Sequence, residues 1–254
     1  MVLPGDVTGC PCFHFTLYAV ESGLVAHFGR ACEMMDMTEM MDRCRLVLIV
    51  PDMADIEHLA AQVGDALAGG DVASVILPDY GSDETTFQKR AELLVPLIQK
   101  AGAAALICGD TRIAGRVKAD GLHIAGHAEA LGEAIAAHAP KMIVGGGLAK
   151  ERHTALDIGG KRPDYIFFGK LDGDIKPDAH PKNLALAEWW SSMIEIPCVV
   201  MGGTDPQSAL EVALSGAEFV ALRLAVFSGE KAPSVVVSEV NALLDEKAPR
   251  FEEE

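Results

Sequence analysis

Residues 45–78 read RLVLIVPDMADIEHLAAQVGDALAGGDVASVILP, and they hold the unit from which most of the chain is built. Leu46-Val47-Leu48-Ile49-Val50 is an unbroken apolar run stopped by Pro51. A short run without polar alternation fits a strand buried on both faces, as in a parallel sheet. From Ile56 to Leu67, the apolar residues Ile56, Leu59, Ala60, Val63 and Leu67 fall at helical spacing, which lays one face of a helix on that sheet. Ala73-Ser74-Val75-Ile76-Leu77, ended by Pro78, is the next buried strand.

The same alternation runs on through the chain. A helix is predicted from Phe87 to Lys100, with Ala91, Leu94, Val95 and Ile98 on one face, and a strand from Ala103 to Cys108. A short helical piece follows around Ile113–Val117, then a strand Gly121-Leu122-His123-Ile124 and a helix Ala128–Ala137. Lys141-Met142-Ile143-Val144 leads into Gly145-Gly146-Gly147 and a helix near Ala149–Ile158. Tyr165–Phe168 is followed by a polar loop and a helix near Leu184–Met193. Pro197–Met201 precedes a helix Pro206–Leu214, and Phe219–Leu222 precedes a helix Val235–Leu244. Eight strand–helix units predict a closed α/β architecture, the TIM (β/α)8 barrel, over residues 45–254 in preference to an open doubly wound sheet. Residues 1–44 lack sustained periodicity and are expected to be a loosely ordered N-terminal extension carrying Cys10-Pro11-Cys12 and the Met-rich stretch from Met34 to Met41.

The chain has 254 residues, 37 acidic and 21 basic, for a net charge of −16. No basic run is present to displace counterions from a polyanion, so nucleic acid is excluded as a main partner. A small anion remains compatible, since it needs only a few amides or one local patch. No apolar stretch approaches the ~20 residues of a membrane span, and no basic region with an apolar segment behind it opens the chain. Six cysteines without paired zinc spacing read as reduced thiols, and the expected location is cytoplasmic. Association with further copies of the same chain is left open by the sequence.

In such barrels the reacting groups lie on loops after the strands' C-terminal ends. Gly202-Gly203, after the seventh strand and before Thr204-Asp205-Pro206, is placed either to bring amides to a phosphate or simply to make a tight turn. Gly147, after the fifth strand, is a less specific candidate of the same kind. Asp110, after the third strand, is either a ligand to Mg²⁺ or the cap of the short helix behind it. His123, inside a strand, reads as a hydrogen-bonded core residue, whereas His127 on the loop beyond reads as a ligand or base. The loop from Gly169 to Pro177 carries Lys170 and Lys176, each able to neutralise a phosphate; a buried Lys170 could instead form a Schiff base, and a solvated loop is the remaining reading.

Ala119-Asp120-Gly121-Leu122-His123-Ile124 resembles the Ala-Asp-Gly-Val-His-Leu signature of the thiamine phosphate synthases and related thiazole tautomerases. Pro163 to Gly169 resembles that family's Ala-Asp-Tyr-Val-Gly-Leu-Gly, and Pro197–Gly203 with Ser215–Ala221 resembles its two closing motifs. The resemblance covers roughly residues 45–246 in order. It implies an enzyme that joins an aminopyrimidine methyl pyrophosphate to a thiazole phosphate in thiamine biosynthesis, with Mg²⁺ and release of pyrophosphate. The partners it implies are small phosphorylated heterocycles. Carried over by position, Asp110 matches the family's metal-binding aspartate, Gly202 and Gly203 match glycines near the thiazole phosphate, and Lys176 lies near the lysine of the loop after strand six.

The chain departs from the pattern at several points. Ile76-Leu77-Pro78-Asp79-Tyr80 replaces a Gln-x-Arg-x-Lys after strand two, and Gly109 stands at an asparagine position. No aspartate follows His123, so Glu129 is the nearest second metal carboxylate. Leu148 and Lys150 align with a serine and a histidine, no threonine is present in the loop after strand six, and Leu224 replaces a serine near the phosphate. These losses leave a second expectation, a diverged member that binds a small phosphorylated ligand in a binding or regulatory role. Schiff-base lyase chemistry on Lys170 is a third.

Overall fold

The computed structural model describes residues 42–251. Eight strands close into a barrel in sequence order, every neighbouring pair parallel: β1 (Arg45–Ile49), β2 (Ser74–Leu77), β3 (Ala104–Cys108), β4 (Gly121–Ile124), β5 (Ile143–Gly146), β6 (Ile166–Phe168), β7 (Cys198–Met201) and β8 (Phe219–Leu222). The helices between them are α1 (Ile56–Leu67), α2 (Glu84–Lys100), α3 (Thr111–Val117), α4 (Ala128–His138), α5 (Arg152–Gly159), α6 (Pro181–Ser191) and α7 (Ser208–Leu214). After β8 come a single-turn helix α8 (Leu224–Phe227) and the closing helix α9 (Pro233–Lys247). Arg43 and Cys44 are already buried, so the packed unit starts ahead of β1, while residues 1–41, with the Cys10-Pro11-Cys12 and Met34–Met41 stretches, lie outside the described residues.

Side chains on a strand alternate between faces, and both faces here are apolar. In β1, Leu46 and Leu48 point to the helices, while Val47 and Ile49 point to the barrel axis. Inside the barrel, Val47, Ile49, Ile76, Leu106, Tyr165, Phe167, Val199, Met201 and Ala221 form one cluster. Tyr165 and Phe167 reach inward from β6 and its approach, and a Cβ on Gly145 of β5 would collide with the Tyr165 ring.

The family-like acidic residues sit at the opposite end from any reacting group. Asp120 accepts the amide of Ala105 (2.8 Å), Asp164 that of Val144 (2.7 Å) and Glu218 that of Cys198 (2.8 Å). Each carboxylate stands just before its own strand and ties down the start of a preceding strand, the face where barrel residues serve stability. At the other end, Asp55, Asp83 and Asp110 cap α1, α2 and α3 through their side chains. Six carboxylates are thus put to backbone work around the two rims.

Candidate active site

All the residues expected to carry chemistry lie on the face formed by the C-terminal ends of the strands, but they are spread around it. Gly147 and Lys170 come together at a cavity of about 240 Å³ over the barrel mouth, with His123, Phe167, Leu171 and Asp172. A second, more open groove of about 610 Å³ lies between the β3 and β4 loops, lined by Asp79, Cys108, Gly109, Thr111, Gly126 and Glu133 among others. His127 is exposed at the start of α4 without a side-chain capping bond, and Glu129 is exposed in that helix's first turn. Lys170 and Lys176 have exposed side chains, so Lys170 lacks the burial that a Schiff-base lysine requires.

Asp110 plays the capping role and retains a free edge. Its Oδ1 accepts the amides of Arg112 (2.9 Å) and Ile113 (3.1 Å), and Oδ2 faces the Arg112 guanidinium at 3.6 Å. Partial burial works against its charge, yet the Ile113 and Arg112 amides and the Arg112 charge hold its carboxyl below the usual carboxylate range. Among the described residues, no group of three or more histidine, cysteine or carboxylate side chains is placed to enclose a metal. Mg²⁺ asks for less, one or two carboxylates with phosphate oxygens and water, and the oxygen chemistry of Asp110 suits that requirement.

His123 is a core residue. Its Nδ1 lies 2.8 Å from the Tyr165 hydroxyl, its ring meets Phe167 edge-on at 5.2 Å, and burial pushes its pKa down to about 4. The ring is therefore neutral at pH 7 and brings no positive charge to the mouth.

The diglycine after β7 is occupied by the protein itself. Gly202 N–H donates to the Ala221 carbonyl (2.9 Å), Gly203 N–H to Ser208 Oγ (2.8 Å), Thr204 N–H to the Lys176 carbonyl (2.7 Å) and Asp205 N–H to the Pro177 carbonyl (3.1 Å). Gly203 is also where the β6–α6 loop comes closest, since a Cβ there would collide with the Pro177 carbonyl. Gly203 is needed here for this close approach, and an anion on its amide would have to replace Ser208 Oγ.

Two site residues stand outside the sequence expectations. Asp174, in the β6–α6 loop, has a fully buried carboxylate: Oδ1 accepts from Nε of Arg223 (2.9 Å) and from its Nη2, while Oδ2 accepts the Leu224 amide (2.7 Å). Arg223 lies directly after β8 and its charge acts on the Tyr80 hydroxyl, which donates to the Val50 carbonyl (2.7 Å). Burial opposes the charge on Arg223, but Asp174 and Tyr80 raise its pKa further. This network ties the ends of β1, β2 and β8 to the β6–α6 loop. A lone arginine closing the apolar run Phe219–Leu222 is the signal that could have pointed to it.

A family model described as thiamine monophosphate synthase matches residues 46–226, nearly the whole barrel. The chain belongs to the thiamine monophosphate synthase family. Thiamine-phosphate synthase from Hyphomonas neptunium is 30% identical over 221 residues, covering 85% of this chain and 100% of the relative. The enzyme of the same name from Rhodospirillum centenum is 30% identical over 208 residues, covering 80% and 99%. Among solved structures, thiamine phosphate pyrophosphorylase from Pyrococcus furiosus superposes with a TM-score of 0.66 at 21% identity, over 82% of this chain and 98% of that one. A 3-hexulose-6-phosphate synthase gives 0.59 at 17% identity, over 78% and 99%, which speaks for the fold alone. At the mouth of this barrel, Tyr80 stands in the β2 loop and Arg223 at the end of β8 is paired with Asp174.

Proposed function

We propose that this chain is a thiamine phosphate synthase-type transferase, joining an aminopyrimidine methyl pyrophosphate to a thiazole phosphate. The observation that carries this reading is the family match across residues 46–226, supported by relatives aligned over essentially their full length. In the reaction, the bond from the pyrimidine methylene carbon to the pyrophosphate oxygen breaks, and the thiazole nitrogen forms the new carbon–nitrogen bond. The protein's task is to hold the two ligands in line and to favour the charge that develops on the leaving group.

Asp110 would hold Mg²⁺ at the β3 loop with substrate phosphate oxygens and water, and Glu129 is the nearest candidate for a further carboxylate. The ion, when bound, stabilises negative charge on the departing pyrophosphate. Lys170, at the edge of the mouth cavity, and Lys176, in the same loop, act as point charges toward phosphate oxygens. Gly147 lines the cavity with its N–H held by the Ile124 carbonyl (2.7 Å), so it offers a substrate only its carbonyl, while the exposed His127 offers its ring. A thiazole phosphate at the end of β7, beside Gly202 and Gly203, would have to displace Ser208 Oγ from the Gly203 amide. The neutral His123 and the Phe167 ring give the cavity an apolar floor for a heterocycle.

Purified protein incubated with both precursors and Mg²⁺ is expected to release pyrophosphate and thiamine phosphate in equal amounts. Absence of both products at high protein concentration would overturn the assignment. Within an active preparation, Asp110→Asn should raise the Mg²⁺ concentration needed for half-maximal rate by about 10–100-fold, the equivalent of losing one charge-assisted contact. The asparagine can still cap α3, so the melting temperature should stay close to that of the parent. An unchanged Mg²⁺ requirement would remove Asp110 from the metal.

A further inference from the structure

The β6–α6 loop, residues 169–180, is fastened over the barrel mouth mainly by polar contacts. Leu171 is its one apolar plug into the interior cluster, while Ile175 at the tip is 80% exposed. At its far end Ala179 is buried in the outer core and its amide donates to Glu211 of α7 (3.0 Å), while the middle of the loop is held by oxygens delivered to donors at the ends of β7 and β8. The Lys176 and Pro177 carbonyls take the Thr204 and Asp205 amides, and the Asp174 carboxylate takes the Leu224 amide and two nitrogens of Arg223. In barrels of this type, the loops after strands seven and eight and the start of a short extra helix are where phosphate oxygens commonly sit. Here those donors already have their oxygens: one carboxylate oxygen accepts from two guanidinium nitrogens and the other from the Leu224 amide, places that two phosphate oxygens suit equally well.

We propose that the loop is a latch, with Asp174 standing in for a phosphate on Arg223 and the Leu224 amide, and that a phosphorylated ligand opens it by taking Asp174's place. The inference rests on the reading that this mouth accepts a phosphate-bearing substrate. It makes Arg223 the phosphate-recognising side chain of the β7–β8 side, a role that no motif-matched residue fills. A phosphate monoester carries more charge and more acceptor oxygens than a carboxylate, so it can satisfy the same three donors. Between Gly169 and Ala179 the fastenings are hydrogen bonds and the buried Asp174–Arg223 ion pair, which a ligand that brings its own charged oxygens can replace, and Gly169, at φ +128, supplies a pivot at its base. An intramolecular competitor lowers apparent affinity by the fraction of molecules in which the site is open, so the closed latch keeps the empty enzyme from holding stray phosphate.

Inorganic phosphate and thiazole phosphate, titrated by calorimetry, test the competition. Asp174→Asn should bind both roughly tenfold or more tightly than the parent, because the charged competitor is gone. Arg223→Gln in the Asp174→Asn background should abolish that gain. Thermal melting confirms that each variant is folded. Amide exchange in the unsubstituted protein gives a reading that depends on no variant: inorganic phosphate should speed exchange at Thr204 and Asp205, freed from the loop carbonyls, while Leu224 stays protected by its new partner. A simple charge effect at Asp174 would leave the Thr204 and Asp205 amides unmoved. Unchanged phosphate affinity in Asp174→Asn, or exchange at Thr204 and Asp205 that phosphate leaves unchanged or slows, overturns the latch and makes the Asp174–Arg223 pair a fixed tie. Neither measurement uses turnover, so a chain that passes them yet makes no thiamine phosphate refutes the reaction and leaves the latch standing.

Discussion

Replacing Trp190 by alanine is expected to lower the unfolding free energy by about 3–5 kcal/mol, the range for removing a large buried ring from a close-packed core. Trp190 is 1% exposed in α6, meets Phe168 of β6 edge-on at 5.9 Å, and covers Gly159 at the end of α5. Its indole nitrogen also donates to the Ile196 carbonyl at 2.7 Å, just ahead of β7. One side chain therefore joins two helices, a strand and the approach to the next strand. The pairing of β5 with β6 nearby rests on a single register pair, Gly146 with Ile166, so little else in the sheet reinforces this sector. Trp190→Phe keeps most of the ring but loses the donor, and should cost closer to ~1 kcal/mol plus the volume lost. Urea unfolding of the parent and both variants measures the difference. A loss below ~1 kcal/mol for alanine would mean that the ring is not the anchor described.

The barrel was legible because its strands announce themselves. Apolar runs stopped by proline or glycine mark strands buried on both faces, and α1, β4 and β8 begin and end where spacing alone puts them. Elsewhere the borders move for identifiable reasons. The second helix begins at Glu84 and not at Phe87, because Asp83 caps it through the amides of Thr85 and Thr86 before its apolar face starts. The fifth strand runs Ile143–Gly146, two residues later than the apolar run around Lys141–Val144 suggests. Its Gly145 leaves the room that the Tyr165 ring fills, a partnership across the sheet that no local pattern records. The helix α8 has only four residues, too few for a periodic signal, and its meaning depends on what meets its first amide.

The candidate site was legible as a face and obscure as a set of partners. Asp110, Gly147, Lys170, Gly202 and Gly203 were expected at the strands' C-terminal ends, and they are there. The acidic side chain that matters most in the β6–α6 loop, however, is Asp174, while attention to charge in that loop falls on Lys170 and Lys176. In sequence, Asp172, Asp174 and Asp178 look alike. Only the return of the chain 49 residues later, bringing Arg223 to Asp174, separates the buried carboxylate from the solvated ones. The charge of this face is likewise settled by partners: Arg223, at the end of β8, is paired with the buried Asp174.

The second large effect is on acid stability, and it comes from His123. Burial holds the folded-state pKa at about 4, against an unperturbed 6.5 in the unfolded chain. Between those values the unfolded state binds the proton and the folded state does not, so stability rises with pH across that window. Its contribution is complete above about pH 6.5, falls as the pH drops, and levels off near pH 4. The separation corresponds to about 3 kcal/mol, at about 1.4 kcal/mol per pH unit. His123→Gln keeps a polar side chain near the Tyr165 hydroxyl but cannot take up the proton. Its unfolding free energy, measured from pH 7 down to pH 4, should fall less steeply than the parent's by roughly that amount. Parallel curves for the two proteins would show that the imidazole takes up its proton in the folded state as readily as in the unfolded one. The same burial bears on catalysis, because a histidine that stays neutral to about pH 4 contributes no ionisation to the rate profile around neutrality. Any acid limb seen there belongs to another group, and the limb should survive His123→Gln at the same pH.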